Sequence, residues 1–150
     1  MRKRILAVFL LLALLLCGCS SPAPKAYNLS IADKLLASGA FEGSEMAPLD
    51  MDVVAMLYGI DPAAITDGVY YMATNTSVSA DELLVLILTD EQAAMDAKGA
   101  CERRLQGQIA VCTDYCPAAV PRLERAVLDR IGNTLLFVVG DEAAFSKVLN

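Results

Sequence analysis

The chain has 150 residues, a formal net charge of -6, 56% hydrophobic residues, five cysteines and no histidine or tryptophan, and this length suits one domain rather than two. Without histidine, the sequence excludes imidazole catalysis, including Ser/His/Asp and Cys/His nucleophiles, and the usual His-ligated metal centres. Because phosphate binding needs clustered Lys and Arg, the acidic balance also argues against a nucleic-acid partner.

The N-terminal segment is typical of an export signal. Three basic residues (2–4) precede an unbroken run of twelve apolar residues (5–16). A membrane-spanning helix needs roughly 20 apolar residues and a signal-peptide core about 7 to 15, so the run favours a cleaved signal. The residues from Leu16 to Cys19 resemble the bacterial lipobox. We therefore expect residues 1–18 to be a lipoprotein signal peptide and Cys19 to be the lipidated residue.

Removal of the signal changes the charge of the chain. The cleaved segment has eighteen residues, three of them basic and none acidic. The remaining 132 residues contain nine Lys and Arg and 18 Asp and Glu, which gives a net charge of -9. Anionic lipid headgroups repel such a surface. We therefore expect a lipid-anchored tether (19–29) that holds a single domain (30–150) off the extracytoplasmic face of the cell membrane.

The first half of this domain has two predicted helices and a loop. Ser30 and Asp33 resemble a capping pair that opens a short amphipathic helix. A second helix is predicted to begin at Asp50 or Asp52 and to end at Gly59, because glycine is favoured just after a helix.

Two strands are predicted next, after a turn at Asp67–Gly68. A strand is predicted at 69–75 from two alternating sets that are rich in aromatic and β-branched residues: Val69, Tyr71 and Ala73 against Tyr70, Met72 and Thr74. The apolar run 82–89 is ambiguous: Ser79 and Glu82 have the spacing of a helix cap, whereas a short run between turn residues suits a buried strand. We predict a strand paired antiparallel with 69–75, because the run is short for a helix and a partner lies just upstream.

The second half begins with the longest predicted helix, 90–114, with Asp90 at its start. Its apolar stripe has spacings of three and four residues and consists of Ala94, Ala97, Cys101, Leu105, Ile109 and Cys112. A shorter helix follows at 117–125.

A hairpin and a last helix complete the domain. Two strands, 126–131 and 134–139, flank Gly132 and Asn133, which favour a tight turn, and Asp141 opens a C-terminal helix. The predicted fold class is therefore α+β, with a mainly antiparallel sheet of about four strands and helices packed on one face.

Four segments carry a resemblance to one known family: Tyr58 to Asp61, Tyr115 to Pro117, Leu123 to Ala126, and Gly132 to Asp141. They resemble the family named domain of unknown function 4358, over nearly all of the mature chain. Its members are small lipoproteins of Gram-positive bacteria, so the resemblance implies the same location as the lipobox. Members carry a polar residue such as Asn where this chain has Cys116, which makes a functional role for that cysteine unexpected. The resemblance implies no activity.

Three cysteines beyond the anchor are the candidates for thiol or metal chemistry. Cys101, Cys112 and Cys116 are spaced by eleven and four residues, which places them on one helix face if the long helix reaches 116. They could form a Cys₃ metal site or a redox pair, but the Cys-x-x-Cys spacing and histidine are both missing. We interpret them as small buried side chains and predict no metal site and no cofactor.

The acidic pairs are interpreted as helix caps rather than catalytic groups, because each falls where a helix begins: Asp50 and Asp52, Asp90 and Glu91, Asp141 and Glu142. We therefore predict no catalytic residue, and a non-enzymatic binding or accessory module of the cell envelope. Its expected partners are the membrane, through the lipid anchor, and an envelope protein or a small ligand. The alternative is a small envelope enzyme that uses carboxylate or thiol chemistry.

Overall fold

The computed structural model describes residues 26–150, and the predicted signal peptide 1–18 and Cys19 lie outside this range. The described chain forms five α-helices, five β-strands and two short 3₁₀ segments. The helices are α1 Ser30–Leu36, α2 Met51–Tyr58, α3 Glu91–Tyr115, α4 Val120–Glu124 and α5 Glu142–Leu149. The strands are β1 Met46–Leu49, β2 Ile65–Ala73, β3 Glu82–Leu88, β4 Val127–Ile131 and β5 Thr134–Val139.

All five strands belong to one antiparallel sheet in the order β1-β2-β3-β5-β4. Both predicted strand pairs are confirmed. Tyr70 of β2 lies opposite Leu84 of β3, and Ile131 of β4 lies opposite Thr134 of β5 across the tight turn. The α+β class and the antiparallel sheet are therefore those that the sequence predicted.

The predicted number of about four strands is one too few. β1 is only four residues long, contains Pro48 and pairs with β2 alone, at an edge of the sheet. Proline lacks a backbone N–H and is tolerated at such an edge, so neither length nor composition indicated a strand. β2 also begins earlier than predicted, because Asp67 and Gly68 pair with β3 instead of forming a turn. The pairing is irregular only between Ile65 and Asp67.

The prediction that helices pack on one face of the sheet is wrong, because helices cover both faces. On one face, α2, α3 and α4 pack on alternate strand residues that include Leu84, Leu86 and Phe137. On the other face, α1 and α5 pack on the intervening residues, which include Val85 and Leu136. The unbroken apolar run in β3 is the usual signature of a strand that is buried on both sides.

Most helix ends lie where the sequence predicted them. Asp90 Oδ1 accepts a hydrogen bond from the backbone N–H of Ala93 at 2.8 Å, and Asp141 caps α5 in the same way. Gly59 ends α2 with a φ of 68°, a left-handed conformation that glycine adopts readily. The predicted Ser30 cap is wrong, because α1 has no side-chain cap.

The chain enters the fold beside the turn between β4 and β5. The backbone N–H of Tyr27 donates to Thr134 Oγ1 at 2.9 Å, and its hydroxyl donates to Asp129 Oδ2 at 2.6 Å. The last residues of the predicted tether (19–29) are therefore held by the sheet. Within residues 26–150, no helix combines the length and the apolar character that a bilayer crossing requires.

Candidate functional site

Two neighbouring carboxylates are fully buried where β3 begins, Asp81 and Glu82. Side chains of successive residues in extended chain point in opposite directions. Glu82 consequently lies under α3, whereas Asp81 contacts α4 and the loop before β1. A buried charge is unfavourable unless it is paired and hydrogen-bonded, so the partners of these two groups define the site.

Glu82 accepts hydrogen bonds from four side chains. The hydroxyls of Tyr58 and Tyr70 both donate to Oε1. Arg104 donates from Nε to Oε1 at 3.2 Å and from Nη2 to Oε2 at 3.4 Å, and Gln108 Nε2 donates to Oε2 at 3.2 Å. The Arg104 guanidinium and the Gln108 amide nitrogen can only donate, so both carboxylate oxygens of Glu82 act as acceptors.

The aromatic rings complete this buried cluster. The Arg104 guanidinium carbon lies 4.8 Å from the centre of the Tyr58 ring, and the rings of Tyr58 and Tyr70 meet edge to face at 6.0 Å. Burial, and then the charge of Glu82, raise the pKa of both tyrosines above their usual range. Burial alone would lower the pKa of Arg104, but Glu82 raises it overall. Both hydroxyls therefore stay protonated as donors, and Arg104 stays charged.

A groove lies over the outer side of this cluster, between α3 and the loop that joins β2 to β3. Its volume is about 450 Å³. Its lining includes Leu57, Met72, Ala80, Val111, Arg104 and Gln108. We call it the α3 groove. Its walls are largely apolar, and its two polar anchors come from successive turns of one helix, because residues four apart share a helix face.

Both polar anchors keep hydrogen-bonding capacity that the cluster does not use. Gln108 Oε1 is buried and has no hydrogen-bond partner. Arg104 commits Nε and Nη2 to Glu82, its side chain is 16% exposed, and Nη1 donates to no residue in the range 26–150. An unpartnered buried acceptor costs about 1 to 3 kcal/mol, and Asp81 Oδ1 on the other side of the strand is unpartnered in the same way.

The Asp81 side of the strand is organised differently. Asp81 Oδ2 accepts from Arg122 Nη1 at 2.5 Å and from Ser44 Oγ at 2.7 Å, and Ser44 also contacts Ser79. A smaller cavity of about 240 Å³ lies beside these partners. The loop between β2 and β3 separates the two openings, since Ser79 lines both.

The three candidate cysteines do not form a reactive site. They are all free thiols. Cys101, on the inner face of α3, and Cys116 are buried as expected, whereas Cys112 is only half-buried, so the interpretation as a buried side chain is wrong for it. Burial, and then Glu82, raise the pKa of Cys101, while burial and then Cys116 raise the pKa of Cys112. Among residues 26–150, no three His, Cys, Asp or Glu side chains are grouped to hold a metal ion. Of the three cysteines, only Cys112 lines the α3 groove.

The acidic pairs that the sequence placed at helix starts do not converge on one site. Asp90 and Asp141 cap α3 and α5, and Asp50 precedes α2 without a side-chain hydrogen bond. The residues that matter, Glu82 and Arg104, were not singled out as a site in the sequence. The sequence did contain a usable signal. Glu82 begins an apolar run that was predicted to be buried, and a buried carboxylate needs hydrogen-bonding partners.

One comparison with known proteins identifies the family. The family model named domain of unknown function (DUF4358) matches residues 40–140. The chain belongs to the DUF4358 family. No curated protein and no solved structure matches it. The DUF4358 match covers β1 to β5, and therefore includes the Glu82 cluster and the α3 groove.

Proposed function

We propose that this DUF4358 protein is a membrane-anchored extracytoplasmic lipoprotein whose domain is a non-enzymatic binding module, and that the α3 groove is its binding surface. The observation that carries this proposal is the pairing of apolar walls with two polar anchors that are held in place from below by Glu82. Ligand sites are commonly apolar concave surfaces of about 300 to 1,000 Å³ with a few fixed polar groups.

The state of the titratable groups around the groove favours binding over catalysis. Glu82 is enclosed by four donor side chains, and the pKa of Tyr58, Tyr70 and Cys101 is raised rather than lowered. A nucleophile is activated by a lowered pKa or an adjacent base. These groups are therefore suited to hold Arg104 and Gln108 in a fixed geometry, and they do not support the carboxylate or thiol enzyme that the sequence left open.

The position of the chain entry supports an anchored arrangement in which the groove remains accessible. Tyr27 contacts the Thr134 end of the sheet, whereas Glu82 pairs with Val139 at the opposite end. Five residue steps of β3 separate the Glu82 and Ile87 positions, which is roughly 17 Å at about 3.4 Å per residue. A tether that leads to Cys19 would start away from the groove.

Crosslinking in the native cell tests the binding role. Val111 lines the groove and is 58% exposed, while Met95 lies on the same helix, is 48% exposed and does not line the groove. A photoreactive amino acid at position 111 is expected to give a discrete adduct, and the same group at position 95 is not. Equal adducts at both positions, or none at position 111, would contradict the binding proposal.

The anchoring part of the proposal has a separate test. Intact-mass measurement of protein purified from its own membrane is expected to show a chain that begins at Cys19 and carries acyl chains. A chain that still begins at Met1, with Cys19 unmodified, would refute the anchor and leave the groove unaffected.

A further inference from the structure

Exposed apolar side chains are concentrated around the α3 groove. Six large hydrophobic residues are exposed in the part of the chain that the structure describes, and five of them lie at this groove. Leu57 and Val111 line it. Met56 and Tyr115 adjoin these two on α2 and α3, and Val78 belongs to the loop between β2 and β3. A small ligand that fills the groove would leave Met56 and Tyr115 in water, so the patch favours a macromolecular partner.

Charge separates this surface from the rest of the protein. Apart from Arg104, which pairs with Glu82, the groove is lined by three segments (53–60, 68–80 and 105–113) that contain no charged residue. Residues 26–150 as a whole contain 18 Asp and Glu against eight Lys and Arg. Two copies of so acidic a chain repel each other when their charged faces meet. The uncharged surface lets them approach without that repulsion.

Resting on the binding role proposed above, we infer that the partner at the α3 groove is a second copy of this chain. The two copies are related by a twofold axis, and their α3 helices pack antiparallel with the axis between Gln108 and Ile109. In this arrangement Arg103 of each copy forms an ion pair with Asp114 of the other.

The spacing of Arg103 and Asp114 supports the antiparallel arrangement. Eleven residues separate them, which is about three helical turns, so they lie on one face of α3. Both are exposed, and neither forms an ion pair within residues 26–150. Because they are equally far from the axis, the twofold rotation brings opposite charges together at both ends of the contact. A parallel pair would set like charges against each other.

The residues between these two charges allow the helices to come close. Gly107 and Ala110 lie on the same face of α3 as the charges, at spacings of four, three and four residues. The rotation places Gly107 opposite Ala110 of the second copy, so small residues meet at the centre of the contact. Nothing lies within 4 Å of the position that a Cβ would take at Gly107, so a partner helix has room there. The face is therefore complementary to itself in both charge and size.

Crosslinking in the native cell tests this arrangement. The photoreactive amino acid at position 111 is expected to give an adduct that contains two copies of the chain, identified by peptides of this sequence on both sides of the crosslink. Arg103→Asp sets carboxylates against each other, and Asp114→Arg sets guanidinium groups against each other. Each single variant should lower the yield of this adduct about tenfold, because like charges facing across an interface weaken association.

Charge reversal provides the matched control. The double variant Arg103→Asp with Asp114→Arg restores opposite charges across the axis and should return the adduct to about the wild-type yield. Lys98→Asp makes the same change in net charge on another face of α3 and should leave the yield unchanged. All variants are compared at equal amounts in the membrane fraction and with matching circular dichroism spectra, so a folding defect is not mistaken for a lost contact.

The outcomes separate this inference from the binding role. An adduct at position 111 with a different protein, a lipid or a glycan would overturn the second-copy inference and leave the binding role standing. A two-copy adduct that persists in the single variants, or that the double variant fails to restore, would also overturn the antiparallel pair. The absence of any adduct at position 111 would instead contradict the proposed function itself.

Discussion

The two faces of the central sheet are buried by different chemistry. The face under α1 and α5 is packed by apolar side chains, such as Leu35, Leu136 and Phe145. The face under α3 contains the carboxylate of Glu82 and the charged side chain of Arg104. Buried ion pairs are often no more stabilising than apolar residues of similar volume. The side opposite Glu82 has its own buried carboxylate, Asp81, which Arg122 and Ser44 pair at the end of the strand. The difference between the faces therefore lies in the four donors around Glu82 and in the groove above them, to which we assign the proposed binding role.

The largest expected effect comes from breaking the ion pair on the α3 face. Arg104→Met leaves the buried carboxylate of Glu82 without its cation, and we expect the free energy of unfolding to fall by about 3 to 5 kcal/mol. Urea denaturation followed by circular dichroism measures it. The double variant Glu82→Gln with Arg104→Met should recover part of the loss, because no charge remains buried and the amide oxygen can still accept from the tyrosine hydroxyls. A double variant as unstable as the single one would show that the pair itself stabilises the fold.

A truncation on the opposite face provides the comparison. Leu136→Ala removes a fully buried side chain under α1 and α5 and should cost about 2 to 5 kcal/mol through lost burial and the cavity left behind. The same urea titration measures this value. The photo-adduct at position 111 should form on the remaining folded protein as it does in the wild type. A loss of binding in folded Leu136→Ala would mean that the two faces are not independent.

Alkaline pH should weaken the buried cluster of the α3 face. The pKa of Tyr58, Tyr70 and Cys101 is raised in the folded state by burial and by Glu82. Their usual values, about 10 for tyrosine and 8.5 for cysteine, describe the unfolded chain. The associated stability is fully present below these values and is lost as the pH rises above them, because the unfolded chain releases protons that the folded chain retains.

The expected slope is up to about 1.4 kcal/mol per pH unit for each group. Unfolding by urea at pH 9, 10 and 11 measures it. Tyr70→Phe removes one of the three groups and should reduce the slope, whereas Tyr115→Phe changes an exposed residue and should not. Equal slopes in the wild type and Tyr70→Phe would contradict the buried cluster.

The fold was largely predictable because its elements have strong local signals. The long helix was expected over 90–114 and spans Glu91–Tyr115, since its apolar stripe has a regular period. The hairpin at Gly132 and Asn133 was found because its turn chemistry is distinctive. The edge strand β1 was missed because it is short and contains proline, and such a strand is defined by its neighbour rather than by its own sequence.

The candidate site was less predictable because its partners are distant in the chain. Glu82 meets Tyr58 from 24 residues earlier and Gln108 from 26 residues later, and each of these residues is ordinary in its local context. The apolar run after Glu82 carried more information than we drew from it. Residues at consecutive positions of one strand are all apolar only if both faces are covered, which implies helices on both faces.

The two edge strands of the sheet, β1 and β4, affect whether copies of the protein associate at high density. β1 carries Pro48, which offers no N–H, and β4 carries Asp129 and Arg130, whose charges discourage an incoming strand. Neither edge strand is suited to strand addition, a common way in which a sheet binds a peptide or the sheet of another molecule. If the proposed lipid anchor crowds many copies on one bilayer, their sheets should therefore remain separate rather than pair edge to edge.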